Sequence, residues 1–413
     1  MDIDSPDVAR KIFEKLAHFA IEKKVSDIFI NSNQNAAVKI DGQMIYLQDF
    51  FFDEQGVYYF LEAIAQPQSI QQFKDTHELN MMIEIKGLSY FRVNVYMQRN
   101  MPGFVMRTIP TEIPVFEDLK LPSILAEFSM AKRGLIILCG ATGTGKSTTL
   151  ASMIDYRNRH SQNHIITVED PIEFMHKSKK SVVIQREVGI DTESYGAALK
   201  NSLRQAPDVI MIGEIRDSET MQYAMHFAES GHLCLATMHS TNSQQAIERL
   251  YNFFPRELRK QLQVELAHNL KAIITQRLLR RADGQGRIVS MEMMHNTPYI
   301  EHLIHEGELH KLNEAMKRGN EEDGVVTFDE SLFRLYEDGY ISYEEAKNYI
   351  ESENDFRIML RAHSKRPLPK ELASSGQSFK VQDDAALEQE MLKKQRDELK
   401  KMRELRMQNI NKS

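Results

Sequence analysis

The chain has 413 residues, 42% of them hydrophobic and 27% charged, with a formal net charge of −7 at pH 7. This length indicates two or three domains, and the composition is typical of a soluble globular protein. No apolar run approaches the ~18–20 residues of a membrane span, and the acidic N-terminus shows no signal peptide. The acidic balance argues against nucleic acid as the main ligand, although a local basic channel would be compatible with it.

The two cysteines, Cys139 and Cys234, both lie in apolar runs, and neither belongs to a C-x-x-C pair. They are most simply small buried residues in a reducing compartment. We therefore expect a cytoplasmic protein.

Residues 1–109 are predicted to form a small α+β domain. The Ser5-Pro6-Asp7 motif indicates a helix start, and the apolar residues after it recur at helical spacing. Six short apolar or alternating segments then predict strands, with helical stretches at 54–65 and 67–74 between the third and the fourth. The predicted strands lie at residues 28–30, 37–40, 44–46, 81–85, 90–96 and 104–109.

Pro110 and Pro114 predict a stiff linker over residues 110–116. From 117 to 297 strands and helices alternate, which predicts an α/β domain with a mostly parallel sheet. Its predicted strands lie at residues 135–139, 164–169, 181–185, 209–212 and 232–237.

After Pro255, apolar residues at helical spacing from Gln263 to Arg281 predict a long helix, and Asp283-Gly284 predicts a turn. Residues 298–363 are predicted to form short amphipathic helices. One of them has Ser342 as its N-cap and Glu345 at the capping-box position.

The last segment, residues 364–413, is predicted to be a flexible linker followed by a charged tail. From Ala385 to Asn409 it has apolar residues at broken helical spacing. A helix and a solvated tail both remain compatible with that pattern.

The strongest motif, residues 140–147, fits G-x-x-x-x-G-K-[ST], the loop that holds nucleotide phosphates. An apolar strand precedes it and a helical segment follows, so its glycines can turn backbone N–H groups toward an anion at a helix N-terminus. Lys146 would reach the β- and γ-phosphates, and the Ser147 hydroxyl would bind Mg²⁺. The predicted nucleotide-binding residues are Gly140, Ala141, Thr142, Gly143, Thr144, Gly145, Lys146, Ser147 and Thr148.

Acidic residues follow two of the predicted strands, at the sheet edge where ligands bind in α/β folds. Glu214 ends the apolar strand after Asp208 and is predicted to hold the metal, whereas Asp208 itself is interpreted as structural. Glu173 is predicted to orient or activate water. Glu169 and Asp170, nearby, either cap the turn at Pro171 or take part in catalysis.

His232 and His239 flank a further predicted strand. We interpret them as polar links between the nucleotide and the sheet. A metal site is the less favoured alternative, because Cys234 is expected to face the core and no carboxylate has ligand spacing here.

Together these motifs resemble the Walker A, Asp, Walker B and His boxes of the secretion-superfamily ATPases. The amino-acid sequence of residues 10–300 is similar to that of the PilT-type pilus-retraction motors. The resemblance implies a PAS-like N-terminal domain and a RecA-like P-loop ATPase domain in a homohexameric ring that hydrolyses ATP with Mg²⁺. It also implies a place at the inner face of the cytoplasmic membrane, reached through an inner-membrane pilus platform protein.

In that family the nucleotide lies between subunits, and arginines of the N-terminal domain reach its phosphates. Arg92 and Arg107 match two of those positions. Arg99 stands one place before the third position, where this chain has Asn100. The alternative is that these arginines are ordinary solvated side chains on strands.

Two departures separate this chain from other branches. Two cysteines cannot build the four-cysteine zinc site of the extension and type II secretion ATPases. Residues 299–306 (Tyr-Ile-Glu-His-Leu-Ile-His-Glu) replace a basic signature of PilT-like chains, and a long tail follows. This combination resembles the PilU branch, which implies an accessory role beside a PilT-type ATPase. A hydrolytically weak coupling subunit and a nucleic-acid-translocating motor are the alternatives.

Overall fold

The structure is a computed structural model that describes residues 3–40, 42–369 and 372. The chain divides into two compact units, Met1–Phe356 and Arg357–Ser413. Most of the predicted linker and tail, residues 364–413, lies outside the described residues. No helix within the described residues combines the length and the apolar character that crossing a membrane requires.

The N-terminal region folds into a six-stranded antiparallel sheet with three helices, as predicted. The sheet order is β3-β2-β1-β6-β5-β4, so the first strand pairs with the last at the centre. The elements are α1 (Pro6–Glu22), β1 (Asp27–Asn31), β2 (Gln34–Ile40), β3 (Gln43–Phe52), α2 (Glu54–Ile64), α3 (Pro67–Thr76), β4 (Glu78–Ile85), β5 (Ser89–Gln98) and β6 (Met101–Ile109).

The core of this region is aromatic. The apolar face of α1 brings Phe13 to Phe60 of α2, with ring centroids 5.7 Å apart, and Phe60 also contacts Phe52 and Phe104. Ser5 is extended before α1 and Pro6 is at its first position, where the missing N–H of proline costs nothing. The helix start that the sequence predicted is therefore correct.

The second sheet has eight strands in the order β14-β13-β12-β7-β11-β10-β8-β9. The strands from β12 to β9 in that order are parallel, and β13 and β14 continue the sheet antiparallel at the other edge. The strands are β7 (Gly134–Cys139), β8 (His164–Glu169), β9 (Val182–Glu187), β10 (Val209–Ile212), β11 (Leu233–Met238), β12 (Leu270–Arg280), β13 (Arg287–His295) and β14 (Val325–Val326).

Helices cover this sheet and form most of the region after it. They are α4 (Ile124–Ser129), α5 (Lys146–His160), α6 (Tyr195–Ser202), α7 (Ser218–Glu229), α8 (Ser243–Asn252), α9 (Arg256–Asn269), α10 (Pro298–Glu306), α11 (Leu312–Met316), α12 (Phe328–Glu337), α13 (Tyr343–Lys347) and α14 (Glu353–His363). Four central strands are buried on both faces, which explains their continuous apolar sequence.

The predicted helix from Gln263 to Arg281 is wrong beyond Asn269. The helix α9 ends there, and β12 begins at Leu270. β12 pairs with β7 along one edge and with β13 along the other, and its residues 272–276 are buried on both faces. A buried run of that kind has no clear period, and tertiary pairing decides its structure.

The short C-terminal helices are confirmed, and a two-stranded pairing of β13 with β14 accompanies them. The Ser342 Oγ accepts the backbone N–H of Glu345, as expected of an N-cap. The Glu345 carboxylate, however, accepts the backbone N–H of Arg280. The complete capping box of this region is formed by Thr327 and Glu330 of α12.

Glu292 is a buried carboxylate in the middle of β13. Its Oε1 accepts the backbone N–H and the hydroxyl of Ser243, both at 2.6 Å. Burial raises the pKa of Glu292 to about 7, although the two hydrogen bonds from Ser243 oppose the shift. The carboxylate thereby fastens the first residue of α8 to the sheet.

Replacing Glu292 by Gln should stabilise the protein at about pH 8 and leave it nearly unchanged at about pH 5. The folded-state pKa lies above the ordinary 4.5, so the native state favours the protonated acid, and this contribution is lost as the pH rises through 7. The amide stays neutral and still accepts from Ser243. Melting temperatures from pH 5 to pH 8 are the measurement, with the exposed Glu257→Gln as control. If the melting temperature falls equally for wild type and Glu292→Gln between pH 5 and pH 8, the expectation is contradicted.

Candidate active site

The predicted phosphate loop, residues 140–147, lies between a buried strand and a helix, as its motif requires. β7 ends at Cys139 and α5 begins at Lys146. Gly143 and Gly145 have φ angles of 79° and 88°, a backbone region that favours glycine. The loop therefore ends at the N-terminus of a 15-residue helix, where backbone N–H groups favour an anion.

Gly140 permits a close approach between the loop and β12. A Cβ at Gly140 would lie 2.6 Å from Thr144 Oγ1 and 2.7 Å from the backbone oxygen of Gln276. The Gln276 amide also lies 3.3 Å from the Thr144 oxygen, to which it donates. Gln276 is absent from the predicted site because its segment was expected to be helical.

Lys146 folds back over the loop. Its Nζ donates to the backbone oxygens of Gly140 at 2.8 Å and Ala141 at 2.9 Å. Burial lowers the pKa of Lys146, and the charge of Glu214 opposes that shift. The ammonium group thus lies at the loop, where phosphate oxygens would offer it charged acceptors in place of carbonyls.

Hydroxyl and carboxylate oxygens at this edge of the sheet suit Mg²⁺, which prefers such ligands. Ser147 and Thr148 are in the first turn of α5, with Ser147 exposed, and Glu214 lies two residues after the last residue of β10. Among the described residues, no group of three or more His, Cys, Asp or Glu side chains could hold a metal ion. Ser147 and Glu214 each offer the kind of oxygen that Mg²⁺ binds when it also keeps phosphate and water ligands.

The Glu214 carboxylate is held between an arginine and a histidine. The Arg216 Nε donates to it at 2.7 Å, and the same guanidinium lies 3.3 Å from Asp170. On the other side, His239 Nε2 lies 3.3 Å from Glu214 and Nδ1 lies 3.1 Å from the Gly140 oxygen. Arg216 is not among the predicted site residues, although a cationic residue two positions after the predicted metal-binding Glu214 indicated a contact with that acid.

The three acids at the C-terminal end of β8, Glu169, Asp170 and Glu173, differ in their surroundings. Glu169 is buried and accepts from Thr167 Oγ1 at 2.7 Å and Gln185 Nε2 at 3.2 Å. Burial raises its pKa to about 7. Asp170 and Glu173 are exposed. Burial and hydrogen bonds favour a structural role for Glu169, and Glu173 remains the predicted water-orienting residue.

The placement of His232 corrects the prediction that both histidines contact the nucleotide. His232 precedes β11 and so lies at the N-terminal edge of the sheet, opposite the phosphate loop. Its Nδ1 lies 3.0 Å from Ser230 Oγ and 3.2 Å from the Phe227 oxygen. The two ends of a strand lie at opposite edges of the sheet. His239 follows the C-terminal end of β11 and reaches the loop of its own subunit, whereas His232 precedes the N-terminal end and does not. Asp208 accepts the backbone N–H of His164 at 2.7 Å, as expected of a structural residue.

Arg92 is engaged within its own chain. Its guanidinium donates to the backbone oxygen of Ile172 and lies 3.8 Å from the Glu187 carboxylate. Ile172 precedes Glu173, so the arginine connects β5 to the acidic segment after β8.

Arg107 and Arg99 have other surroundings, although Arg107 lies directly opposite Arg92 in the pairing of β5 with β6. The Arg107 Nε donates to the buried Asp27 at 2.8 Å, yet 58% of its side chain is exposed. Arg99 is exposed in the turn between β5 and β6, with a φ of 52°. The structure therefore brings neither arginine to the phosphate loop of its own subunit.

Comparison with known proteins agrees with this arrangement. A family model described as type II/IV secretion system protein matches residues 3–319. The chain is 46% identical over 374 residues to the type IV pilus ATPase PilU of Pseudomonas aeruginosa, an alignment that covers 90% of this chain and 97% of that protein. It is 35% identical to the type IV pilus retraction ATPase PilT of the same organism, over 83% of this chain and 99% of PilT.

A solved structure supports the same relation. The crystal structure of the pilus retraction motor PilT with bound ADP superposes with a TM-score of 0.76 at 37% identity, covering 84% of this chain and 98% of that one. The predicted fold class, a PAS-like N-terminal domain with a RecA-like P-loop ATPase domain, is thereby confirmed. The chain belongs to the type II/IV secretion system protein family, in the group of type IV pilus ATPases to which PilT and PilU belong.

Proposed function

We propose that this chain is a homohexameric motor that couples ATP hydrolysis to retraction of a type IV pilus. Its role is that of a PilU-type accessory to a PilT-type ATPase. The observation that carries the proposal is the 46% identity to PilU over 97% of that protein. The phosphate loop, with Glu214 and His239 beside it, supplies the chemistry that such a motor needs.

The loop and Lys146 would bind the phosphates of ATP. Ser147 and Glu214 would hold Mg²⁺, which neutralises phosphate charge when bound. Glu173 would orient the attacking water, while Arg216 and His239 keep the Glu214 carboxylate in place. Each of these residues lies at the edge formed by the phosphate loop and the C-terminal ends of β8, β10 and β11.

A ring would complete the site. The Arg107 side chain is 58% exposed and contacts Asp27 of its own subunit, which leaves part of it open to solvent, as suits a cation that acts on the nucleotide of a neighbouring subunit. Arg92 is bound in cis and is the weaker candidate for that role, and Arg99 has only its exposure in its favour.

The accessory role is supported by α10. This helix has Glu301 and His305 where PilT-like chains have arginines, and Glu301 pairs with His268 at 3.1 Å. The surface for a partner therefore differs in charge, while the phosphate loop and the acids beside it are retained. The partners we propose are a PilT-type ring and the inner-membrane pilus platform protein, reached from the cytoplasmic face of the membrane.

Substitutions at the loop and at the acids should separate binding from hydrolysis. Lys146→Ala should abolish ATP binding, because it removes the cation of the phosphate site. Glu173→Gln and Glu214→Gln should keep binding but slow hydrolysis by ~10²-fold, as expected when water or metal positioning is lost. Nucleotide affinity and phosphate release are the measurements, with the exposed Glu229→Gln as control. Wild-type turnover in Glu173→Gln would remove that residue from the mechanism.

Mixed rings would test the action of Arg107 across a subunit boundary. Arg107→Ala alone and Lys146→Ala alone should be inactive, whereas a mixture should regain activity because some interfaces receive both intact groups. Loss of the arginine leaves Asp27 unpaired, so Asp27→Asn/Arg107→Ala controls for that effect, and Lys74→Ala controls for surface charge. Rings that mix fully, as shown by native mass spectrometry, and stay inactive would disprove action in trans.

Retraction in cells would test the accessory role. Pili should retract poorly in cells that lack the PilT-type partner and express this chain, and retraction under load should fall when this chain is deleted from cells that keep the partner. Lys146→Ala expressed at the same level is the matched control. Vigorous retraction without the partner would identify an independent motor instead.

A further inference from the structure

Tyr195 has a buried hydroxyl that no side chain or backbone group in the described part of the chain satisfies. It is the first residue of α6, whose N-cap is Ser194. A buried hydroxyl without a partner reduces stability, so such groups are rare in native proteins and need an explanation.

The hydroxyl lies against Gly213, the residue before Glu214. A Cβ at Gly213 would be 2.7 Å from the Tyr195 oxygen and 3.1 Å from the Cα of Glu169. Gly213 also donates its backbone N–H to the oxygen of Val168. The hydroxyl is therefore at the junction of the C-terminal ends of β8 and β10, where the site carboxylates begin.

Three of those carboxylates act electrostatically on the hydroxyl. Burial is the main cause that raises the pKa of Tyr195, and Asp170, Glu169 and Glu214 raise it further, with Asp170 the strongest of the three. Arg216 opposes them. The geometry agrees, because the hydroxyl lies at Gly213 beside the backbone of Glu169, and Arg216 contacts the neighbouring Asp170 and Glu214 in this state.

Tyr251 provides a comparison with Tyr195, because its hydroxyl is buried in a similar way but has different neighbours. Its hydroxyl is also buried without a partner among the described residues, at the end of α8, and it packs against the same core. Burial alone raises the pKa of Tyr251, with no carboxylate contributing. Each of the two tyrosines has a buried hydroxyl without a hydrogen-bond partner among the described residues. They differ because carboxylates act on the hydroxyl of Tyr195 and not on that of Tyr251.

We propose that Tyr195 is a positioning residue for hydrolysis. The Arg216 side chain is 53% exposed, and its Nη1 contacts Asp170 while its Nε contacts Glu214. When the phosphates attract Nη1 away from Asp170 and Nε stays on Glu214, the Tyr195 hydroxyl donates a hydrogen bond to the released Asp170. That bond holds the segment from Asp170 to Glu173 in place, and with it the side chain that orients water. The inference rests on the ATPase function proposed above.

The test compares Tyr195→Phe with Tyr251→Phe. Tyr195→Phe should lower kcat by about 10-fold, the effect of one hydrogen bond to a charged group, with KM for ATP and affinity for ADP unchanged. Its affinity for ADP with aluminium fluoride, a transition-state analogue, should fall by a similar factor. Tyr251→Phe should change none of these. Neither variant should melt at a lower temperature than wild type without nucleotide, because each removes an unsatisfied group.

A double-mutant cycle identifies the acceptor. Tyr195→Phe should have little further effect in an Asp170→Ala background, because the hydrogen bond is already lost. Additive effects would overturn the proposal, as would a kcat within twofold of wild type. A loss of ADP affinity or of nucleotide-free stability in Tyr195→Phe would also overturn it in favour of a packing role. A wild-type protein that binds the analogue but does not turn over ATP would contradict the proposed function and not this inference.

Discussion

The Glu214 carboxylate is the group on which the arrangement of the site depends. It is mostly buried and carries a negative charge, so it needs cationic or hydrogen-bonding neighbours. Arg216 and His239 supply them from the two sides, and each of those residues has a second contact, Arg216 with Asp170 and His239 with Gly140. A change at the phosphate loop would therefore reach the acidic segment after β8 through three side chains.

Close backbone packing makes this possible. Gly140 allows β12 to approach the loop, and Gly213 leaves room for the Tyr195 hydroxyl beside Glu169. A Cβ at either position would be nearer to another atom than side-chain carbons normally come. Glycine in these two places thus serves close approach as well as backbone freedom.

The N-terminal sheet is connected to the same segment. Arg92 of β5 contacts Ile172 and Glu187, which lie on either side of the exposed Glu173 loop. Ile172 in turn donates its backbone N–H to Glu187 at 3.0 Å. The residue proposed to orient water is therefore next to a contact between the two sheets, whereas the Arg107 side chain is 58% exposed and hydrogen-bonds only with Asp27 among the described residues. This difference suits one arginine to an intrachain role and the other to a neighbouring subunit.

The sequence alone determined the features that local physics controls. The phosphate loop, the doubly buried strands, the helix start at Pro6 and the acids at strand ends follow from short-range patterns, and the family follows from those motifs together. Tertiary structure decided the rest. Residues 270–280 became a strand because they pair on both sides, His232 was separated from His239 by the length of β11, and Glu169 was buried while Glu173 was left exposed. The hydrogen bonds of Arg216 and the unsatisfied hydroxyl of Tyr195 depend on which strands are neighbours in the sheet. Spacing along the sequence does not determine that order.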